Sequence, residues 1–154
     1  MFFNQAIMNN IQGESNRYAE QYLQKKADHL QQHPHARANA FRGKPILLSE
    51  LKAFFAMLII MGAISLPSLS LYWTTKWPFS FPVFSSIMSW NRFELILKFI
   101  HFNNNGNQIP RDQPGHDRLF KIRPFLTSII KRFQESFTPH QNLSVDESMI
   151  SFKG

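Results

Sequence analysis

Apolar residues recur every three or four positions along most of this chain, which is the spacing of one face of an α-helix. The clearest case follows Asn91, where Phe93, Ile96, Leu97 and Ile100 share one face and charged residues occupy the others. The pattern predicts a mainly α-helical fold, with helices over 14–32, 49–64, 91–102 and 124–137.

The helix predicted over 49–64 differs from the others because it is apolar around its whole circumference. We expect it to be the most buried element, so that replacing Leu58 or Ile59 by Ala costs about 2–5 kcal/mol. The segment Ala53–Thr75 carries no charge, and its continuous apolar part, Ala53–Leu66, is 14 residues long. Because a membrane span needs about 20 apolar residues, we expect no membrane partner.

The segments between the predicted helices are rich in Pro, Ser and Asn. The stretches 67–89 and 103–116 therefore predict irregular connections. Asp117 can cap a short helical turn, and Pro124 suits the first turn of the helix that follows.

The period of the pattern changes from four residues to two near the end of the chain. Leu143 and Val145 alternate with Ser144 and Asp146, which predicts a β-strand near 142–148. A single strand cannot form a sheet. The strand therefore either pairs outside this chain or belongs to a chain that is cut short.

Composition narrows the classes of function. The 154 residues suit one domain, and 44% hydrophobic against 18% charged residues is a globular balance. The absence of cysteine excludes disulfides, cysteine-ligated zinc and a thiol nucleophile. Seventeen Lys and Arg against ten Asp and Glu give a net charge of +7, which favours nucleic acid or another anionic surface as a partner.

A cluster of basic residues in the second half of the chain is the best candidate for phosphate contacts. A solvated basic face explains the same residues equally well, because charge supplies affinity without proving a site. The cluster consists of Arg111, Arg118, Lys121, Arg123, Lys131 and Arg132.

Two further residue types could carry chemistry but have simpler interpretations. Trp73, Trp77 and Trp90 could stack on bases, although aromatic residues at this density usually form a core. His29 and His33 have the i, i+4 spacing of a zinc site on a helix, but no third ligand is near them, which favours a solvated pair.

Several short motifs follow one another along the chain. They include Asn16-Arg-Tyr-Ala, Tyr72-Trp73, Met88-Ser-Trp-Asn-Arg-Phe-Glu94, Asp117-Arg-Leu, Lys121-Ile-Arg-Pro124 and Leu143-Ser-Val-Asp-Glu-Ser-Met-Ile-Ser-Phe-Lys-Gly154. Their order and spacing resemble the piggyBac transposase family over roughly residues 14–154. The order and spacing make the resemblance specific, whereas each motif alone is weak.

The resemblance implies a division of the chain into three parts. A flexible N-terminus over 1–13 would lead into a helical dimerisation and DNA-binding region over 14–139. Residues 140–154 would begin an RNase H-like catalytic domain that is truncated after its first strand. Family members continue beyond this point and usually end in a cysteine-rich zinc-binding tail.

By the same resemblance, Asp146 corresponds to the first of three catalytic aspartates and so to a metal ligand. The full-length family uses Mg²⁺ or Mn²⁺ to cut and paste DNA. That chemistry needs two hard cations about 4 Å apart with several converging oxygen ligands. Only Asp146 is mapped here, since Glu147 would point to the opposite face of the strand. We therefore expect a catalytically incomplete fragment that holds no metal stably.

These inferences lead to two hypotheses for function. The first is a DNA-binding fragment derived from a piggyBac transposase, with double-stranded DNA as its partner and the nucleus as its location. The alternative is a non-catalytic helical protein–protein module, which would form a homodimer or pair with a full-length relative and regulate it.

Overall fold

The computed structural model describes residues 4–138, of which 64% lie in helices and none in a strand. The prediction of a mainly α fold is confirmed. The predicted strand near 142–148 and Asp146 lie outside the described residues. The α-helices are α1 (Gln5–Lys25), α2 (Ala27–Gln32), α3 (Leu48–Ala63), α4 (Pro82–Ile87), α5 (Trp90–Phe99) and α6 (Arg123–Ser136), with short 3₁₀ helices at Arg37–Phe41, Leu69–Trp73 and Asn105–Asn107.

Helix α1 begins earlier than the sequence pattern predicts. The Asn4 side chain caps it by accepting a hydrogen bond from the Ile7 amide at 2.8 Å. Ile7, Met8 and Ile11 are buried against the rest of the fold. The helix therefore begins at Gln5 and not near residue 14, because these apolar residues anchor a first turn whose Asn and Gln neighbours obscure the apolar pattern in the sequence.

Two polar residues of α1 attach it to distant segments. The Asn16 side chain accepts from the Ile46 amide at 2.8 Å and donates to the Ile46 carbonyl at 3.1 Å. Ser15 is fully buried, and its hydroxyl accepts from the His101 amide at 2.9 Å. Because polar groups removed from water need partners, these contacts fix α1 against the segment before α3 and against the chain that follows α5.

Helix α5, not α3, is the most buried element. Four of its ten residues are buried, namely Phe93, Leu95, Ile96 and Phe99. Helix α3 buries a single face, and Ile59 on its outer side is 66% exposed. The prediction that the helix over 49–64 is the most buried element is therefore wrong. An all-apolar circumference shows that any face could be buried, but it does not show how many neighbours the fold supplies.

The segment 67–89 is more ordered than predicted. It contains the 3₁₀ helix Leu69–Trp73 and α4, which pack around the fully buried Phe84. Tyr72 hydrogen-bonds the backbone that leaves α3, and the Trp73 indole donates to the Met88 carbonyl at 2.7 Å. Aromatic contacts thus order a sequence whose Pro and Ser content predicts a loop. None of the described helices has the length and apolar content that crossing a membrane requires.

Candidate nucleic-acid interface

The segment between α5 and α6 is a series of tight turns rather than an unstructured loop. Gly115 adopts a φ of 89°, a left-handed conformation that favours glycine, and lets the chain reverse there. The His116 ring donates through Nδ1 to the Ile109 carbonyl at 2.7 Å, which closes this reversal. The next turn begins at Asp117, whose Oδ1 accepts from the Leu119 amide at 2.9 Å. The predicted capping role of Asp117 is confirmed.

Two contacts attach these turns to the helical body. The Asn103 side chain, just after α5, donates to the Phe120 carbonyl at 2.8 Å. The ring of Phe125 in the first turn of α6 packs on Phe102 with centroids 5.1 Å apart. Pro124 lies in that first turn as predicted. These two contacts therefore join the end of the turn segment to its start, just after α5.

A cleft of about 720 Å³ lies along these turns, and we call it the basic groove. Three of the six predicted phosphate contacts line it: Arg111, Arg118 and Lys121. All three are exposed, and none forms an ion pair with another described residue. No acidic residue of the described chain lines the groove, whose remaining lining residues are Gln108, His116, Leu119 and Ile122.

Arg123, the fourth predicted phosphate contact, forms an ion pair with Asp117. Its guanidinium binds both carboxylate oxygens of Asp117, with Nε–Oδ2 at 2.7 Å and Nη2–Oδ1 at 2.6 Å. These hydrogen bonds, followed by the one from the Leu119 amide, lower the pKa of Asp117 to about 2. Asp117 in turn raises the pKa of Arg123. The charge of Arg123 is thus neutralised locally, and the pair braces the turn that carries Arg118 and Lys121.

The last two predicted contacts lie on α6, outside the lining of the groove. Lys131 and Arg132 approach the same carboxylate, that of Glu135, at 4.0 and 3.4 Å. Exposed pairs at this spacing on a helix are weak. Two cations share one anion here, so this part of the α6 surface keeps a net positive charge.

The described residues do not fit a catalytic metal centre. Among residues 4–138 there is no group of three or more His, Cys, Asp or Glu side chains that could hold a metal ion. The His29 and His33 rings lie 4.5 Å apart, as their spacing predicts, without a third ligand from the described chain. Asp146, which the resemblance maps onto a metal ligand, lies outside these residues.

The tryptophans divide between the two interpretations that the sequence leaves open. Trp73 and Trp90 contact each other with centroids 4.9 Å apart and pack on Phe93, as a core interpretation predicts. Trp77 is 90% exposed. Among the three tryptophans, Trp77 is the one whose immediate neighbours are a lysine and a proline, Lys76 and Pro78, and this sequence signal separates it from the other two.

The described residues form a mainly helical protein with a basic groove, and comparison with known proteins gives its family. A family model described as "Transposase IS4" matches residues 1–154. The chain belongs to this transposase family, and within it to the piggyBac type. The resemblance predicted from the motifs is confirmed.

The relatives of the chain include human proteins derived from piggyBac elements. Human piggyBac transposable element-derived protein 2 is 28% identical over 154 residues, which cover 100% of this chain and 22% of that protein. Derived protein 3 is 28% identical over 107 residues, covering 69% of this chain and 17% of that protein. Derived protein 5 is 30% identical over 105 residues, or 68% and 19%. The chain spans about a fifth of the length of these relatives. No solved structure matches it.

Proposed function

We propose that this chain is a DNA-binding module of a piggyBac-type transposase, in which the basic groove holds phosphates of double-stranded DNA. One observation carries the proposal: Arg111, Arg118 and Lys121 line one groove, without a carboxylate from the described chain to neutralise them. Phosphate contacts fix the position of a duplex but carry no sequence information. Binding should therefore be weak, salt-sensitive and little affected by sequence. The proposal includes a nuclear site of action.

The structure supports different tasks for the six basic residues. Arg111, Arg118 and Lys121 contact phosphate directly. Arg123 is a positioning residue, because its guanidinium is committed to Asp117. Lys131 and Arg132 extend the positive surface along α6, where they share Glu135 and contribute less.

The proposal is tested by replacing Arg118 and Lys121 together with Gln and titrating duplex binding against salt. Each lost phosphate contact makes the negative slope of log K against log salt shallower by about 0.9, so the slope of the double variant should be shallower by about 1.8. The matched control replaces Lys25 and Lys26, which are exposed at the end of α1, with Gln. Both variants change the net charge equally. Equal slopes for the two would contradict a specific role for the groove.

We further propose that this chain does not cut DNA by itself. Asp146 is the one carboxylate that the family resemblance maps onto a metal ligand, and the two-metal reaction needs several. The test incubates the chain with Mg²⁺ or Mn²⁺ and duplex DNA, beside an Asp146→Ala variant. We expect no cleavage. Cleavage that the variant abolishes would show that further carboxylates complete the site.

A second candidate function is self-association through the outer face of α3. This face combines Ile59, 66% exposed, with the exposed Ala56, Ala63 and Ile64. Exposed apolar faces often mark protein interfaces. Sedimentation of the chain at increasing concentration tests this candidate, with Ile59→Glu as the disrupting variant. Gln24→Glu, at an exposed position of α1, makes the same charge change and is the control. A concentration-independent monomer would exclude it.

A further inference from the structure

Trp77 occupies the tip of a tight turn between the 3₁₀ helix Leu69–Trp73 and α4. The Phe79 amide donates to the Lys76 carbonyl at 3.1 Å, which closes the turn around Trp77. The indole is 90% exposed and makes no ring contact or hydrogen bond with another described residue. A large aromatic side chain is thus presented to solvent rather than packed.

The turn lies between two segments that pack into the fold. Before the turn, Trp73 donates its indole N–H to the Met88 carbonyl at 2.7 Å and packs on Phe93. After the turn, the fully buried Phe84 contacts the Tyr72 ring with centroids 4.8 Å apart. An aromatic side chain rotates about only two χ angles and so loses little conformational entropy when it binds, which makes it an effective contact residue.

The charge around the turn favours an anionic partner. Lys76 is exposed directly beside Trp77. From residue 51 to residue 93 the sequence contains Lys52, Lys76 and Arg92 but neither Asp nor Glu. No acidic residue of this stretch would therefore repel a phosphate backbone that approached the turn.

We propose that Trp77 stacks on an unpaired base of DNA, while Lys76 contacts the adjacent phosphate. An aromatic face with a neighbouring cation is the combination that binds single-stranded nucleic acid, since every base offers a π face and every nucleotide a phosphate. Within a paired duplex the bases already stack on each other, so Trp77 gains a contact only where a base is exposed. This inference rests on the proposed DNA binding and adds a preference for unpaired ends or gaps.

The test compares two probes of equal length: a fully paired duplex and a duplex with an unpaired thymine overhang. Stacking on one base is worth about 1–3 kcal/mol, which corresponds to about a 5- to 150-fold change in Kd. Trp77→Leu should weaken binding to the overhang by a factor in this range and leave the paired duplex unaffected. Trp77→Phe keeps a π face and should retain most of the preference. Leu97→Ala, at a position 42% exposed on α5, is the matched control for loss of an exposed apolar side chain.

Intrinsic fluorescence gives a second readout. Since Trp77 is the exposed indole among the three tryptophans, the overhang should quench emission in the natural chain and not in Trp77→Phe. Equal binding of Trp77→Leu and the natural chain to the overhang would overturn the inference while leaving duplex binding standing. A Leu variant that binds as well as the Phe variant would show an apolar contact instead of stacking. If the natural chain binds neither probe, the proposed DNA binding fails and the inference fails with it.

Discussion

The packed helical body and the basic groove use charged side chains in opposite ways. In the body, the Arg92 guanidinium binds both oxygens of Glu50 at 2.7 and 2.9 Å and also donates to the carbonyls of Lys44 and Pro45 at 3.0 Å. In the groove, Arg111, Arg118 and Lys121 have no ion partner among the described residues. Charge stabilises the fold in the first region and faces solvent in the second. Substitutions in the two regions should therefore separate stability from DNA affinity.

The largest difference between the regions should appear when apolar side chains are truncated. Phe93 is fully buried on α5 and packs on Phe54 and Trp73, with ring centroids 5.0 and 4.8 Å apart. Phe93→Ala should lower the free energy of unfolding by about 3–5 kcal/mol, measured by urea denaturation. Leu119→Ala, on the partly exposed wall of the groove, should change it by less than about 0.5 kcal/mol. Similar losses at both sites would break the comparison.

A smaller loss is expected when the ion pair in the body is removed. Arg92→Ala deletes hydrogen bonds to one carboxylate and two carbonyls. Hydrogen bonds to charged groups contribute about 1.5–3 kcal/mol, and partial exposure of this pair puts the expected loss near the lower end. Urea denaturation at neutral pH measures the loss. Lys98→Ala, a cation on the same helix that contacts the Tyr22 ring, is the control and should cost less.

The pH dependence of stability should sharpen this assignment. Hydrogen bonds from Arg92, and then from the Leu47 amide, lower the pKa of Glu50 below its ordinary 4.5, although partial burial opposes them. A lowered folded-state pKa contributes stability above pH 4.5, and that contribution is lost as the pH falls through the folded value. Stability should therefore decline below pH 4.5 in the natural chain and decline less in Arg92→Ala. Identical acid profiles would assign the decline to other carboxylates.

The sequence predicts the family and most helices because the relevant signals are local or ordered along the chain. Several motif residues that carry the resemblance turn out to hold the fold: Asn16 binds the Ile46 backbone, Tyr72 binds the end of α3, and Asp117 caps a turn. Such polar contacts tolerate few replacements, which explains why a short motif can identify a family without containing its active site.

The sequence could not predict which face of a helix is exposed or which charged side chains form ion pairs. The apolar circumference of α3 does not reveal that Ile59 faces outward, since that depends on which helices pack beside it. The basic cluster does not reveal that Arg123 is bound by Asp117, six residues earlier, while Arg118 forms no ion pair with a described residue. Both properties arise from tertiary contacts, and periodicity carries no information about them.

The smallest predicted effect concerns Arg123, where the two regions meet. Because the pKa of Asp117 is about 2, below its ordinary 3.8, the pair contributes stability above pH 3.8 that is lost as the pH falls toward 2. The pair is solvent-exposed, so Arg123→Ala should barely change stability at neutral pH. The pKa of Asp117 should rise toward 3.8 and stop short of it, since the Leu119 amide still donates to the carboxylate. A carboxylate titration followed by NMR measures the rise, with Arg132→Ala as the control.

In DNA binding, Arg123→Ala should lose less affinity than Arg118→Ala, because it removes a brace and not a phosphate contact. An equal loss would make Arg123 a phosphate contact that leaves Asp117 when DNA binds.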